Sequence, residues 1–180
     1  RDLHSFPTRR SSDLEMKKQY LAESNFLIAY YHFLSMRSYG PTMIIRSVID
    51  LETPISGFPE RSSIDEVVAF INEKLDEAMS EGGLPTTWSG KDYGRATRLA
   101  ALALKSRVYL YAASPLYNGN TEMYADFRSP LDGRQLIAQE KSQAKWEISA
   151  TQTKYAIDEV EKAKFHLYHD ADAGEPSDAK

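Results

Sequence analysis

The sequence predicts an all-α (mainly α) fold built from stacked helix pairs, and three observations support this prediction. Apolar residues recur at steps of three and four over several long segments, as on one face of an amphipathic helix. One of these segments begins with a capping-box pattern, and glycine and proline residues punctuate the connections. The chain has 180 residues, 42% hydrophobic and 27% charged, which suits one soluble domain with its own core.

Composition excludes several classes of protein. No stretch approaches the roughly 18 consecutive apolar residues that suggest a membrane-spanning helix. The net charge of −4 disfavours a nucleic-acid partner, which normally requires a basic face. The chain has no cysteine, so it has no disulfide, thiol nucleophile or cysteine-bound zinc.

Residues 1–14 share no periodicity with the rest of the chain. The string HSFPTRRSSDL at residues 4–14 is similar to one reading frame of a common sequencing-library adapter. We therefore expect residues 1–14 to be an artefact or a disordered segment outside the fold. A genuine disordered N-terminus is the alternative. The adapter interpretation also implies a chain truncated at its start, without its signal peptide or lipid anchor.

The first predicted helix covers residues 15–36 and carries a wide aromatic face. Its apolar positions at helical spacing are Tyr20, Phe26, Leu27, Tyr30, Phe33 and Leu34, which we expect to face the core. Gly40 and Pro41 end the helix. Residues 42–48 are β-branched and apolar and predict an extended segment or short strand, and residues 53–61 predict a loop.

The second predicted helix begins after Ser63. Ser63 followed by Glu66 forms a capping-box pattern, in which the two side chains satisfy free backbone N–H groups at the helix start. The expected buried stripe is Ile64, Val67, Val68, Ile71, Leu75 and Met79. Gly82 and Gly83 end the segment.

The third predicted helix starts near Thr97 and ends at Ser114 and Pro115. It is rich in alanine and has few charged residues, so we expect it to lie between neighbouring helices that its small side chains allow to approach closely. Residues 116–133 predict a loop.

A fourth helix is predicted over residues 135–164, with Trp146, Ile148, Tyr155, Ile157 and Val160 facing the core. Residues 170–180 predict an acidic flexible tail that stops without a closing element. Helix pairs of this kind favour a tetratricopeptide-like array over residues 15–169, although the long 116–133 connection breaks the strict 34-residue period.

The chain offers little that resembles catalytic chemistry. His166, His169 and Asp170 have a spacing that metal sites use, but no second pair of ligands accompanies them, so we expect no metal site. The carboxylate clusters are Asp65 with Glu66, and Asp158 with Glu159 and Glu161. Adjacent residues do not share a helix face and exposed helix carboxylates are common, so we expect no acid–base pair among them. Phosphate-binding, dinucleotide-binding and nucleophile-elbow motifs are absent from the sequence, and we expect no cofactor and no catalytic residues.

Aromatic residues in the connections are the remaining indication of a binding role. Trp88, Tyr93, Tyr117 and Tyr124 lie outside the predicted helices, where they could stack on sugar faces, hold a protein partner or cap the ends of the helix stack. The candidate ligand-binding residues are Trp88, Tyr93, Tyr117 and Asn118.

Three sequence blocks resemble the SusD/RagB family. They are AESNFLIAYYHF at residues 22–33 followed by RSYG at 37–40, PERSSIDEV at 59–67, and GRAT at 94–97 followed by ALALKSRVYLYAASPLYN at 101–118. They occur in the family's order, and the resemblance extends over most of the chain after Leu14. One departure is the single glycine after Tyr39, where the family often has two.

The resemblance implies a function that the helices alone do not. Members of this family are surface-exposed outer-membrane lipoproteins that bind glycans or other nutrients and close over a SusC-like, TonB-dependent transporter. They catalyse no reaction, and their ligand sites are typically formed by loops and insertions outside the helical core. The resemblance also implies that the signal peptide, the lipidated cysteine and the C-terminal part of such a protein are absent from this chain. The alternative is a generic helical-repeat scaffold that binds another protein and no glycan.

Overall fold

The computed structural model describes residues 6–167 and shows a mainly helical chain. Its helices are α1 (Phe6–Tyr39), α2 (Ile64–Ala78), α3 (Arg98–Ala113), the single-turn α4 (Thr121–Tyr124) and α5 (Gln143–Lys162). Short 3₁₀ turns cover Ile55–Gly57 and Gly90–Asp92. Within the described residues β structure is limited to isolated bridges, which pair Met43 with Arg61, Asn118 with Ala138 and Arg128 with Gln135.

The long helices form two pairs. α1 packs on α2, α3 packs on α5, and contacts between α2 and α3 join the pairs into one stack. The core lies along this stack and is made of aliphatic and small side chains, among them Ala29, Phe33, Ile71, Leu75 and Val108. The predicted all-α architecture of stacked helix pairs is confirmed.

Helix α1 differs from its prediction in length and in the face that it buries. It begins at Phe6 rather than at residue 15. That conformation says nothing of the origin of residues 1–14, so the adapter interpretation stays a prediction. Phe33 is buried as expected, but Tyr20, Leu27 and Tyr30 are 55%, 46% and 39% exposed. The expectation that these residues face the core was wrong. Apolar residues occur on more than one face of this helix, and the face that packs against its neighbours carries the small residues Ala22 and Ala29.

Helix α2 begins as predicted. The backbone N–H of Ser63 donates to Glu66 Oε2 over 2.7 Å, and the N–H of Glu66 donates to Ser63 Oγ over 3.3 Å, which completes the capping box. The predicted stripe is buried from Ile64 to Leu75, and Met79, which follows the helix, is partly buried against the core. Gly82 has φ +73°, a conformation that glycine adopts without strain and that turns the chain after the helix.

Helix α3 also follows its prediction. Thr97 caps it, accepting a hydrogen bond from the Ala100 N–H over 3.1 Å. Its buried residues include Ala101, Ala112 and Ala113, and it contacts α1, α2 and α5. The expected position between neighbours is therefore confirmed.

The predicted start of the last long helix was wrong, and so was part of its predicted buried face, since Ile148, Tyr155 and Ile157 are 45%, 41% and 47% exposed. α5 begins at Gln143, and residues 135–142 form non-helical chain with bridges at Gln135 and Ala138. Leu136 and Ile137 are both buried in this non-helical chain. A short apolar run can be buried in either a helix or an extended segment, and hydrophobic spacing alone does not distinguish the two. Residues 42–48 contain a bridge at Met43 and no strand. The predicted tail at 170–180 lies outside the described residues.

Candidate functional site

An open cleft of about 470 Å³ lies between the segment before α3 and the end of α5. Its lining is mostly aromatic, aliphatic and hydroxyl-bearing: Thr86, Thr87, Trp88, Tyr93, Gly94, Arg95, Thr97, Leu99, Val160 and Phe165. We refer to these residues as the aromatic cleft. The cleft contains two of the four candidate ligand-binding residues, Trp88 and Tyr93.

Trp88 is half-buried and held by two contacts. Its Nε1–H donates to the Ala96 carbonyl oxygen over 2.7 Å. The Arg95 guanidinium carbon lies 4.1 Å from the centre of its ring, in a cation–π contact. The indole ring is therefore fixed in place without any ligand.

Arg95 connects the cleft to helix α1. Its Nε donates to Glu23 Oε1 over 2.7 Å, and its Nη1 donates to Asp92 Oδ1 over 3.0 Å. The Tyr20 ring centre lies 5.5 Å from the guanidinium carbon. The hydrogen bond with Glu23 is the main cause that raises the pKa of Arg95 above its usual value. Two carboxylates thus compensate the guanidinium, the one charged group among the described lining residues.

Tyr93 and Phe165 provide the accessible rings of the cleft. Tyr93 follows the Gly90–Asp92 turn, with its N–H donating to the Gly90 carbonyl oxygen over 3.3 Å. It is 86% exposed, and Phe165, just after α5, is 49% exposed. The two rings come from segments far apart in sequence and line one surface.

Tyr117 and Asn118 lie elsewhere, in the core. The Tyr117 hydroxyl donates to the Met36 carbonyl oxygen over 3.0 Å, and burial raises the pKa of this hydroxyl. Asn118 donates to the carbonyl oxygens of Ala113 and Ser142 and accepts from the Ser142 N–H over 2.8 Å. Both residues join the 116–142 connection to the helices, and neither lines the cleft. Their role in ligand binding stays a prediction.

Sequence reasoning did not select Arg95, Phe165 or Glu23. Arg95 and Glu23 belong to two of the blocks that carry the family resemblance, GRAT and AESNF. The blocks do not indicate that these two side chains contact each other. Phe165 follows the last helix and had no local signal. Their proximity depends on how the helix pairs stack.

Neither a metal site nor a membrane span is found in the part of the chain that the structure describes. Among residues 6–167 no group of three or more His, Asp or Glu side chains is arranged to hold a metal ion, and His169 and Asp170 lie outside that range. None of the helices in the same range has the length and apolarity to cross a membrane.

Comparison with solved structures gives similar proteins. BT4246 superposes with a TM-score of 0.76 and 36% identity over 87% of this chain and 26% of its own. Its selenomethionine form gives a TM-score of 0.72 and 34% identity over the same shares. A SusD-like protein (BF3747) from Bacteroides fragilis NCTC 9343 gives 0.50 and 35% over 55% of this chain and 19% of its own.

The chain thus spans about a quarter of the length of BT4246. Comparison with curated protein sequences gave no match. A family model described as SusD-like, starch-binding and associating with the outer membrane matches residues 3–110, which is more than half of the chain. With the matching sequence blocks and the shared helical stack, this places the chain in the SusD-like family of starch-binding proteins that associate with the outer membrane.

Proposed function

We propose that this protein is a non-catalytic, glycan- or nutrient-binding component of an outer-membrane uptake system. The observation that supports this proposal is the family match over residues 3–110, with its description as starch-binding and associated with the outer membrane. The helical stack shared with BT4246 supports the family assignment, with 36% identity over 87% of this chain.

The composition of the aromatic cleft favours binding over hydrolysis. Most glycosidases need two carboxyl groups that flank the bond to be broken. The cleft lining consists of aromatic, aliphatic, threonine and glycine residues and one arginine. Small-molecule sites commonly combine such an apolar lining with a few polar groups. We propose that Trp88 and Tyr93 contact the ligand there and that Tyr117 and Asn118 support the connection behind α3.

The partner in this proposal is a SusC-like, TonB-dependent transporter. A glycan held at the cell surface still has to cross the outer membrane, and a transporter of this class would carry it across. In the whole protein a lipidated cysteine near the start would hold it to that surface.

The test uses the epitope-tagged protein in its host bacterium. We expect it in the outer-membrane fraction, where purification in mild detergent recovers a TonB-dependent transporter in near-equal amount. Deletion of the gene should abolish or slow growth on one polysaccharide and leave growth on the corresponding monosaccharide unchanged. Fractionation with the cytosol, or normal growth on every polysaccharide tried, would contradict the proposal.

The alternative is a helical scaffold that binds another protein and no glycan. The outward face of α1 favours it, because Tyr20, Leu27 and Tyr31 are 55%, 46% and 61% exposed. In that case the tagged protein would recover a partner, but deletion would leave growth on polysaccharides unchanged.

A further inference from the structure

We propose that His32 is a pH-sensitive latch, which holds residues 44–46 against helices α1 and α2 while its ring is neutral and releases them when the ring is protonated. Three features support this latch: the hydrogen bonds of the two ring nitrogens, the few other contacts of residues 44–46, and the charges around the ring. None of these features depends on the proposed uptake function.

The two ring nitrogens of His32 have partners of opposite kinds. Nδ1–H donates to the Ile28 carbonyl oxygen, one turn earlier on α1, over 2.7 Å. Nε2 accepts from the backbone N–H of Ile45 over 3.2 Å. A carbonyl oxygen can only accept and a backbone N–H can only donate, so Nδ1 has to carry the proton and Nε2 has to be bare. Only this neutral tautomer of the ring satisfies both contacts.

Protonation of His32 would break the contact with Ile45. An imidazolium carries a proton on both nitrogens, so Nε2–H would face the N–H of Ile45, donor against donor. Among the hydrogen bonds of residues 6–167, the one to His32 is the only one that the Ile45 N–H makes. The N–H recovers an acceptor if the segment moves away and meets water. The released form therefore accepts the proton more readily, and acidification favours release.

Residues 44–46 have few other contacts that hold them to the helices. Ile44 is partly buried against the core. The Arg46 guanidinium carbon lies 4.8 Å from the centre of the Phe70 ring on α2, and Arg46 Nη1 lies 3.3 Å from Glu73 Oε1. The Arg46 side chain is 62% exposed, and ion pairs as exposed as this contribute little. The hydrogen bond to His32 is thus a substantial part of what holds the segment.

The latch precedes an exposed loop, residues 47–58. Val48, Leu51 and Ile55 in this loop are 98%, 103% and 92% exposed. The hydrogen bonds that the structure describes within residues 47–58 join members of the loop to each other. Release of residues 44–46 would therefore lengthen the stretch of chain that is not held to the helices.

Two cations already lie close to the His32 ring. The ring meets Phe70 edge-on, with the ring centres 4.8 Å apart. The Arg46 guanidinium carbon and Lys74 Nζ lie 4.8 Å and 5.8 Å from the centre of the same phenyl ring. A protonated His32 would be the third cation around Phe70, and like charges at this range repel each other.

The carboxylates on α2 that face this region have other partners. Glu73 pairs with Arg46 and Lys74 over 3.3 Å and 3.8 Å, and Glu77 pairs with Lys74 over 2.6 Å. Glu66 lines the same surface pocket as Arg46 and accepts from the N–H of Ser63. On α1 itself, the positions one turn from His32 do not titrate: Ile28, Ala29, Ser35 and Met36. Within the described residues, none of these carboxylates forms an ion pair with His32.

The experiment measures amide hydrogen exchange of the ¹⁵N-labelled 180-residue protein by NMR at pH 7.5 and pH 5.5. Histidines ordinarily titrate near pH 6.5 and carboxyl groups near pH 4, so this interval isolates the histidines. The measured quantity is the protection factor of the Ile45 amide, which corrects the exchange rate for the intrinsic effect of pH. Long-range ¹H–¹⁵N spectra show which ring nitrogen of His32 carries the proton. The Ala100 amide, which donates to the Thr97 side chain at the start of α3, is the internal control.

Two variants remove the titration of residue 32. His32→Gln has a side chain that can still accept a hydrogen bond but takes up no proton in this interval. His32→Phe keeps a flat ring beside Phe70 and has no acceptor. His166→Gln is the matched control, since it removes an exposed histidine that follows α5. Far-UV circular dichroism checks that every variant is folded.

We expect Nδ1 of His32 to carry the proton at pH 7.5. The protection factor of the Ile45 amide should fall between about threefold and tenfold at pH 5.5, the range open to a histidine that binds its proton normally once released. His166→Gln should show the same fall. His32→Gln and His32→Phe should show no fall, and His32→Phe should have low protection at both pH values. The Ala100 amide should not respond to pH in any of these proteins.

Four results would overturn the inference. A proton on Nε2 of His32 at pH 7.5 would mean that the bond to Ile45 is not made. An Ile45 protection factor that is equal at the two pH values would mean that protonation releases nothing. An equal fall in His32→Gln would assign the response to another group, and an equal fall at Ala100 would assign it to opening of the whole fold. The first two results come from the unchanged protein, so they decide the inference even if a variant does not fold.

Discussion

Arg95 is the residue whose contacts connect most of the features of this protein. It stacks on Trp88, lies near the Tyr20 ring, and pairs with Asp92 beside it and with Glu23 on α1. The Glu23 and Arg95 side chains are only 20% and 27% exposed. A charge-assisted hydrogen bond at this burial is stronger than a pair in open solvent, because water competes less for both groups.

Glu23→Gln should therefore destabilise the protein measurably. The amide keeps the shape of the carboxylate but weakens the hydrogen bond to Arg95, and the expected result is a lower melting temperature and a more accessible Trp88. Thermal unfolding and acrylamide quenching of the tryptophans measure the two effects. Asp158→Asn is the control, since the pair of Asp158 with Lys154 involves a lysine that is 70% exposed. Equal melting temperatures for the two variants would show that the Glu23–Arg95 pair stabilises the fold no more than an exposed ion pair does.

Glu66 predicts a pH dependence of stability. Its hydrogen bonds with the backbone and side chain of Ser63 hold the pKa of this carboxyl below its ordinary value of 4.5. A carboxyl with a lowered pKa in the folded state stabilises the fold above its unfolded pKa, and that contribution is lost as pH falls through the folded value.

The free energy of unfolding should thus decrease on acidification below about pH 4.5, and Glu66→Gln should remove part of this decrease. Ser63→Ala should remove a smaller part, because the backbone N–H of residue 63 still donates to Glu66. Urea unfolding at pH 7 and at several pH values below 4.5 measures the difference. If the free energy of unfolding falls with pH as steeply in Glu66→Gln as in the unchanged protein, the prediction is wrong.

At the scale of elements, α3 is the helix that joins the two helix pairs, since it packs on both α2 and α5 and also contacts α1. Its alanines set how closely these helices approach. Ala101 has no exposed surface, whereas Ala100, one residue earlier on the same helix, is exposed. The two positions separate the effect of packing from that of helix propensity.

Ala101→Leu should cost about 1–3 kcal/mol, as expected when methylene groups are forced into a well-packed interior. Ala100→Leu should change stability by less than about 0.5 kcal/mol, since leucine is nearly as good a helix former and meets only solvent there. Urea unfolding of both variants gives the comparison. Similar stabilities would mean that α3 is packed too loosely for its alanines to matter.

At the scale of the whole molecule, the stack leaves much apolar surface uncovered. Leu27 and Tyr31 on α1 and Ile148 and Ile157 on α5 are between 45% and 61% exposed. An open helical stack gains stability only from contacts between neighbouring elements, so its outer faces contribute nothing to this chain alone.

We therefore expect modest stability and binding of the dye ANS to the folded chain. Leu27→Lys combined with Tyr31→Lys should reduce ANS fluorescence without lowering the melting temperature, because these residues are 46% and 61% exposed. Dye fluorescence and differential scanning calorimetry measure the two quantities. A cooperative melt at high temperature without dye binding would contradict this view of the molecule.

Most of the fold could be predicted from local signals. The start of α2 followed from Ser63 and Glu66, and the start of α3 from Thr97, because capping depends on residues within one turn. Part of the predicted buried face of α1, part of that of α5, and the start of α5 were wrong. In both helices apolar residues fit two conformations or two faces, and nothing nearby in the sequence chooses between them.

The candidate site divides in the same way. Trp88 and Tyr93 could be selected because large rings in a connection are unusual, and the structure brings them into one cleft. Tyr117 looked equivalent in sequence and is buried at 3% exposure. Ile137, which belongs to the same core cluster, comes from a segment that was predicted to be helical, so the burial of Tyr117 could not be foreseen.

The sequence by itself determined the helical class, the ends of α2 and α3 and, through its three blocks, the family resemblance. These depend on residues close together along the chain, whose backbone geometry is decided locally. Only the tertiary structure decided which face of α1 is buried, and that Glu23 holds Arg95 against Trp88 beside Phe165. Those residues are separated by up to 142 positions in the sequence, and their contacts exist only because packing of the helix pairs brings them together.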